Sequence, residues 1–161
     1  MPHHDKLSRQ PVLTYAAATP IRVGPLVIRF VANAADTRGG LAMFEFDVPA
    51  GARVPAGHSH DGYEETLYAL RGRLTWTVDG TRFELTPGGC VIIPRGAVHR
   101  FENLGNETAT TLAIVTPGVL GPEYFLELAA VIAAAGGGAP DVAALAEVML
   151  RHGLTPDPRA T

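Results

Sequence analysis

His58-Ser59-His60-Asp61-Gly62-Tyr63-Glu64-Glu65 is the stretch around which the rest of the chain is organised. One residue separates the two histidines, so in an extended backbone their side chains point to the same face. Asp61-Gly62 favours a small turn, and Glu65 follows that turn at the start of the next strand pattern. We therefore expect the two imidazoles and the Glu65 carboxylate to converge on one spot.

A third imidazole is expected from His99. This histidine ends the segment Pro94-Arg95-Gly96-Ala97-Val98-His99, which directly follows an apolar strand pattern. Three imidazole nitrogens and one carboxylate oxygen suit a first-row transition metal. The competing interpretation is that the histidines and Glu65 are solvated loop residues, and their joint spacing favours the metal.

Length and charge exclude several classes of protein. The chain has 161 residues, enough for one domain with a substantial core. Its net charge of -3 and pI near 6.0 predict no nucleic-acid partner. Lys6 is the single lysine, which argues against Schiff-base chemistry.

The cellular compartment is predicted from cysteine usage and hydropathy. Cys90 is the single cysteine, so no internal disulfide is expected, and a reducing compartment fits. The first residues do not show the charged, apolar and small-residue pattern of a secretory signal. The longest apolar run, residues 124–135, contains Glu127 and is too short to span a bilayer. We expect a cytoplasmic protein without a membrane partner.

The strand patterns predict an all-β fold. Residues 1–20 form an N-terminal arm with a short strand at Val12 to Tyr15, and residues 21–117 show strand after strand between Gly, Pro and Asp-Gly turns. No helix-period segment interrupts them. About nine strands are predicted, including Leu26 to Val31, Gly40 to Val48, Thr66 to Leu70, Arg73 to Val78, Arg82 to Leu85, Cys90 to Ile93, Val98 to Glu102 and Thr108 to Val115.

The sequence changes character at Pro117. Residues 118–153 predict two α-helices. The first has Gly121-Pro122-Glu123 in its first turn and continues over Tyr124 to Ala135, and the second runs from about Asp141 to His152. Two helices of this length bury too little surface to fold alone, so we expect them to pack on the barrel or on a neighbouring subunit. Residues 154–161 are expected to be a frayed tail.

The spacing of the histidines, glycines and prolines resembles the cupin superfamily. Its first motif is matched by His58, His60, Glu65 and Gly72, with its leading glycine displaced to Gly51. The second motif is matched by Gly88, Pro94, Gly96, His99 and Asn103. The resemblance implies a double-stranded β-helix, the cupin jelly-roll barrel. It also implies that His58, His60, Glu65 and His99 bind one divalent metal.

Other residues near the motifs have simpler interpretations. Glu64 alternates to the opposite face from Glu65 and is expected to be solvated or to support the ligands. Gly57 to Asp61 does not match a nucleophile elbow, because aspartate stands in the fifth position and no helix follows. Cys90 precedes an apolar run and is expected to be a small buried hydrophobe.

The wall of the expected cavity predicts the type of ligand. Phe101 shares strand parity with His99 and should point into the same cavity, and we place Trp76 there too. Arg73 and Arg100 have the opposite parity and should face away. An aromatic wall with few cations favours a flat, weakly charged molecule over a sugar phosphate.

The layout of one barrel and two terminal helices resembles, more loosely, small bacterial cupins grouped with quercetin 2,3-dioxygenases. That resemblance implies oxidative cleavage of a flavonol-like or enolic aromatic molecule, with Glu65 as the base and the helices closing the barrel mouth. Two alternatives stay open: a non-redox isomerase, cyclase or lyase, and a binding module without turnover. Iron, manganese, nickel, cobalt, copper and zinc all suit the donor set. A homodimer is expected.

Overall fold

The structure is a computed structural model that describes residues 19–52 and 57–157. The strand predicted at Val12 to Tyr15 lies outside the described residues. Within them the elements follow one another as β1 (Ile21–Val23), β2 (Leu26–Ala32), α1 (Ala34–Thr37), β3 (Ala42–Val48), β4 (His58–His60), β5 (Glu64–Arg71), β6 (Leu74–Val78), β7 (Thr81–Leu85), β8 (Cys90–Ile93), β9 (His99–Glu102), β10 (Ala109–Thr116), α2 (Pro122–Ala134), α3 (Val142–Arg151) and β11 (Leu154–Pro156).

The strands form two sheets that face each other across the core. The first sheet has the order β1-β2-β3-β10-β5-β8, and the second has the order β11-β4-β9-β6-β7. The pairs between neighbouring strands are antiparallel. This is the architecture of a double-stranded β-helix, which confirms the predicted fold class.

Strand β3 shows how the sequence pattern builds the core. Phe44 and Phe46 are buried on the inner face, whereas Glu45 and Asp47 alternate to the outer face. On that outer face both carboxylates contact Arg29 of the neighbouring strand β2. A strand with one buried face and one solvated face is expected to alternate in this way.

The turns use the residues that the sequence predicted for them. Asp79 and Gly80 join β6 to β7 with φ angles of 46° and 80°, the combination that a tight hairpin turn requires. Gly72 has a φ of 66°, and a Cβ there would lie 2.7 Å from Ala109 Cα. Both facts exclude a larger residue at position 72.

Asn103 donates from Nδ2 to the carbonyl oxygens of Val48 and Glu107, each at 2.8 Å, which confirms its structural role.

Both C-terminal helices are present close to their predicted limits. Helix α2 begins at Pro122, in the first turn that the sequence predicted, where proline's missing N–H is harmless. Helix α3 is capped by Asp141, whose side chain accepts from the backbone of Ala143 and Ala144. Helix α2 packs against β1 of the barrel, and the two helices contact each other. None of the described helices is long and apolar enough to cross a membrane.

Three predictions about local structure were wrong. A one-turn helix, α1, interrupts the strands, and Asn33 and Asp36 cap it reciprocally, a signal that the sequence contained. Residues 154–156 of the predicted tail instead form β11, in which Leu154 pairs with His60. Cys90 is exposed, because it lies opposite Tyr68 on the outward face of the sheet. An all-apolar strand does not reveal its parity in the sequence.

Candidate metal centre

Three of the four predicted metal ligands lie together inside the barrel. One donor atom each from His60, Glu65 and His99 lies within 4.8 Å of the others. Glu65 Oε2 is 3.5 Å from His60 Nε2 and 3.4 Å from His99 Nε2. Atoms that bind one ion at about 2.0–2.2 Å stand roughly 2.8–3.6 Å apart. These two separations fit a shared metal ion.

The backbone orients both imidazoles of this cluster. His60 Nδ1 lies 2.9 Å from the carbonyl oxygen of Tyr63, and His99 Nδ1 lies 3.0 Å from that of Ala97. A carbonyl oxygen only accepts, so each Nδ1 must donate its proton. In the neutral ring this leaves the lone pair on Nε2, the nitrogen that faces Glu65. Metal-binding histidines are commonly held in this way.

The two Nε2 atoms have no partner in the protein as described. They belong to the small set of buried side-chain nitrogens, among residues 19–52 and 57–157, that lack a hydrogen bond. Their separations from Glu65 exceed the usual hydrogen-bond length of about 2.7–3.2 Å. A buried polar atom without a partner costs about 1–3 kcal/mol. A cation at the centre of the cluster would satisfy both nitrogens and the carboxylate at once.

The charge of the cluster also favours a cation. Burial by itself would raise the pKa of Glu65, but the imidazoles of His60 and His99 outweigh it and lower that pKa to about 2. Burial would lower the pKa of His99, but the Glu65 carboxylate outweighs it and raises that pKa. The cluster therefore holds an ionised carboxylate at neutral pH and attracts a proton or a metal ion to its centre.

His58 lies beside the cluster. It pairs with His99 across strands β4 and β9, and the centroids of the two rings are 4.4 Å apart. Its ring centroid is 6.3 Å from that of His60, and its donor atoms are not in the group that lies within 4.8 Å. His58 lines the adjoining cavity. Its role as a fourth ligand stays a prediction.

The cluster opens on a cavity of about 90 Å³. Trp76 and Phe101 lie on its wall, with ring centroids 4.8 Å apart. Phe46 contacts Phe101 at 5.1 Å and continues this wall. The outward parity of Arg73 and Arg100 is confirmed, since both are exposed. The cavity therefore meets the cluster on one side and an apolar aromatic surface on the other.

Sequence reasoning missed two tyrosines at this cavity. Tyr63 stacks on His60 with ring centroids 3.9 Å apart and planes at 16°, and Tyr124 reaches the cavity from α2. Burial, with a further contribution from the Glu65 carboxylate, raises the pKa of both phenols. Both hydroxyls therefore stay protonated and can donate hydrogen bonds. The parity of Tyr63 with Glu65 was an available signal, whereas nothing local indicated Tyr124.

Helix α2 supplies much of the cavity wall. The helix contributes Tyr124, Phe125 and Leu128, and Leu120, which precedes the helix, joins them. Phe125 packs on strand β3, with its ring centroid 5.0 Å from that of Phe44. The helix thus forms one side of the cavity.

Comparison with known proteins agrees with this architecture. Residues 44–115 match the cupin domain family Cupin_2. The chain is 28% identical over 113 residues to quercetin 2,3-dioxygenase of Bacillus subtilis. This alignment covers 70% of this chain and 33% of the relative. The aligned part spans only 33% to 51% of the length of the curated relatives that the chain matches.

Solved structures share the fold at low sequence identity. The structure of KdgF from a Halomonas species superposes with a TM-score of 0.56 at 18% identity, covering 62% of this chain and 86% of that one. The polyketide cyclase RemF of Streptomyces resistomycificus superposes with a TM-score of 0.52 at 24% identity, covering 58% and 66%. Sheet order, motif spacing and the family match agree, and residues 44–115 of the barrel are therefore a cupin domain.

Proposed function

We propose that this protein is a metal-dependent dioxygenase that cleaves a weakly charged, enolic or flavonol-like small molecule. The observation that carries the proposal is the junction of the cluster with the cavity: His99 belongs to the cluster, and its ring centroid is 6.4 Å from that of Trp76 on the aromatic wall. A donor set beside an apolar chamber is the usual form of a small-molecule site. The similarity to the Bacillus dioxygenase supports it.

In this proposal His60, Glu65 and His99 hold the ion, and His58 joins them as a fourth ligand. A divalent transition metal bound there would supply Lewis-acid binding for an enolate oxygen and, if redox-active, the electron transfer that dioxygen chemistry requires. Glu65 is the proposed base, since it is the carboxylate that faces the cavity. Both oxygen atoms of O₂ enter the products, so the substrate itself is the reductant.

The cavity wall argues for an uncharged substrate body. Its described lining includes no lysine or arginine, and the polar side chains there are His58, Tyr63, Glu65, Trp76, His99 and Tyr124. A phosphate or carboxylate on the substrate would therefore lack a cationic side chain to neutralise it. Tyr63 and Tyr124, kept protonated by burial, can donate to an enolate or a carbonyl oxygen.

The size of the cavity separates two substrate classes. An apolar cavity of about 150 Å³ accommodates benzene, and the cavity here has about 90 Å³. A small enol such as a β-diketone is similar in size to benzene and requires a moderate expansion of the cavity. A flavonol has three rings, so it requires outward movement of α2, the helix that contributes Tyr124, Phe125 and Leu128 to the wall.

Oxygen consumption tests the proposal directly. Protein is reconstituted separately with Fe²⁺, Mn²⁺, Ni²⁺, Co²⁺, Cu²⁺ or Zn²⁺ and mixed with flavonols and β-diketones in an oxygen electrode. We expect uptake with at least one redox-active metal and none with zinc. His99→Ala should abolish the uptake, and Glu64→Gln, at an exposed neighbouring position, should retain it. The proposal is wrong if no redox-active metal supports uptake with any compound of the panel.

One observation favours a second candidate function. Two histidines and one glutamate form the donor set that many catalytic zinc sites use, with one position left for water or substrate. His60, Glu65 and His99 match that composition. A zinc-dependent isomerase, cyclase or lyase would convert an enolic substrate without consuming oxygen. Product formation by the zinc-loaded protein, in the absence of O₂, would favour this candidate over the dioxygenase.

A further inference from the structure

Trp76 lies at the centre of the inner wall. It is the middle residue of β6 and is 1% exposed. Across the sheet it pairs with Phe83 on one side and Phe101 on the other. Its ring centroid is 4.8 Å from that of Phe101 and 6.4 Å from that of His99. The indole therefore lines the cavity next to the metal cluster.

The indole N–H has no acceptor within the protein. Trp76 Nε1 completes the set of three buried side-chain nitrogens that lack a hydrogen bond in the described part of the chain, after His60 Nε2 and His99 Nε2. The aromatic side chains around it offer no acceptor oxygen. A buried tryptophan normally finds a partner for this group, since leaving it unpaired costs free energy.

A bound metal would provide a partner for the two imidazole nitrogens of this set but not for the indole nitrogen. The imidazole Nε2 atoms have lone pairs to offer, whereas the indole nitrogen is only a donor and cannot bind a cation. The indole N–H requires an oxygen or nitrogen acceptor from another molecule. Trp76 lines the cavity, but its Nε1 atom is fully covered, so a ligand bound there supplies the acceptor if a small local shift exposes this N–H.

The surroundings decide the charge of that acceptor. The described lining of the cavity has no lysine or arginine, and Glu65 beside it is held as a carboxylate. A second anionic group near Trp76 would be repelled and would lose its hydration without compensation. An uncharged carbonyl, hydroxyl or ether oxygen avoids both the repulsion by Glu65 and the uncompensated loss of hydration.

We propose that the indole N–H of Trp76 is the specificity donor of this cavity, and that the natural substrate presents to it an uncharged oxygen acceptor, distinct from the oxygen that faces His60, Glu65 and His99. The inference deepens the proposed function, because it concerns the same cavity. It concerns binding alone, and a ligand bound without any turnover would satisfy it.

The test uses the fact that Trp76 is the single tryptophan of the sequence. Protein labelled with ¹⁵N at the indole and saturated with diamagnetic Zn²⁺ therefore gives one indole N–H resonance. Cyclopentanone, cyclopentane and cyclobutanecarboxylate are small probes of similar size that differ in acceptor and charge. We expect cyclopentanone to move the indole proton downfield, and cyclopentane and the carboxylate to leave it in place.

Affinity measurements on variants give a second readout. Cyclopentanone should bind the parent protein about 2- to 10-fold more tightly than cyclopentane, the value of one hydrogen bond. Trp76→Phe retains the aromatic ring without the donor and should remove this preference. Phe101→Leu is the matched control on the same wall, and it should weaken both probes without changing their ratio.

Three results would overturn the inference: cyclopentanone binding that leaves the indole resonance unmoved, a ketone preference that survives in Trp76→Phe, and no binding of cyclopentanone up to its solubility. The resonance measurement uses the parent protein, so it decides the question even if Trp76→Phe fails to fold. Absence of oxygen uptake with a normal indole shift would reject the dioxygenase and leave the Trp76 inference standing.

Discussion

Two regions of one cavity differ in what they contribute to the protein. The metal cluster, His60, Glu65 and His99, contains buried nitrogens without a hydrogen-bond partner among the described residues. The aromatic wall, Phe44, Phe46, Trp76 and Phe101, consists of buried or partly buried rings whose centroids are 4.8–6.4 Å apart from one to the next. Aromatic contacts of this kind stabilise a core.

This difference separates binding from folding. Without a ligand the cluster is a cost to the folded state, because desolvated donor atoms lack partners. The wall stabilises the fold whether or not a ligand is present, since its contacts are within the protein. Substitutions in the cluster should therefore change metal and activity, and substitutions in the wall should change stability.

The largest effect is expected for the imidazoles. His99→Ala or His60→Ala should lower the bound metal from about one ion per chain to nearly none, because each change removes one of the few donor atoms of the site. Elemental analysis of protein purified without chelator measures this. Glu64→Ala is the control, since Glu64 is exposed and outside the cluster. Circular dichroism measures whether the His variants still fold. Unfolded variants would show that the cluster also stabilises the fold.

The next effect concerns the proposed base. Glu65→Gln keeps the size of the side chain and one ligand oxygen but removes its negative charge. It should retain part of the bound metal and lose about 10²- to 10⁴-fold in the rate of oxygen uptake, the usual contribution of a general base. Parallel metal analysis and uptake kinetics separate the two functions. A Glu65→Gln protein as active as its parent would reject the role of base.

A wall residue should give the opposite result. Phe44 is 4% exposed and contacts Phe30, Phe46 and Phe125. Phe44→Ala should lower the free energy of unfolding by about 3–5 kcal/mol, measured by urea denaturation, while the folded fraction still binds metal. Leu126→Ala, at a position 55% exposed, serves as the control. Loss of metal from folded Phe44→Ala would remove the distinction between the two regions.

The smallest effect is expected on the outer side of the strand that carries Phe44 and Phe46. Asp47 contacts Arg29 and accepts from Thr110, each at 2.8 Å. Burial would raise the pKa of Asp47, but these partners outweigh it and lower that pKa. A lowered folded-state pKa stabilises the protein above the unfolded value of about 3.9. Asp47→Asn should therefore cost about 0–1 kcal/mol at pH 7.

The pH dependence of this ion pair can be checked by denaturation at several pH values. The difference in unfolding free energy between the parent and Asp47→Asn should shrink as the pH falls below about 4, because the parent's carboxylate becomes protonated. A difference that stays constant down to low pH would show that the carboxylate's charge is not its source. Metal content should be the same in both proteins throughout.

The strand pattern and the cluster could be predicted from local sequence. Three features each depend on a few neighbouring residues: the alternation in β3, the Asp79-Gly80 turn and the spacing from His58 to Glu65. The physical rules that predict them therefore need only local sequence. His99 required the added information of motif spacing. Together these features predicted that His60, Glu65 and His99 would lie close together. The structure places them within reach of one ion.

The remaining features depend on which elements meet across the fold. The outward direction of Cys90, the pairing of Leu154 with His60 and the packing of Phe125 against Phe44 all follow from contacts between residues far apart in the chain. The indole N–H of Trp76, which lacks an acceptor, belongs with these features. A donor without an acceptor can be recognised only when the positions of all neighbouring groups are known. Periodicity and spacing, which are properties of the chain, were enough to predict the barrel and the three residues that could hold a metal ion. The shape of the cavity, the helix that forms one side of it and the hydrogen bonds it leaves unmade arise from packing between distant segments, so they became visible only in the folded structure.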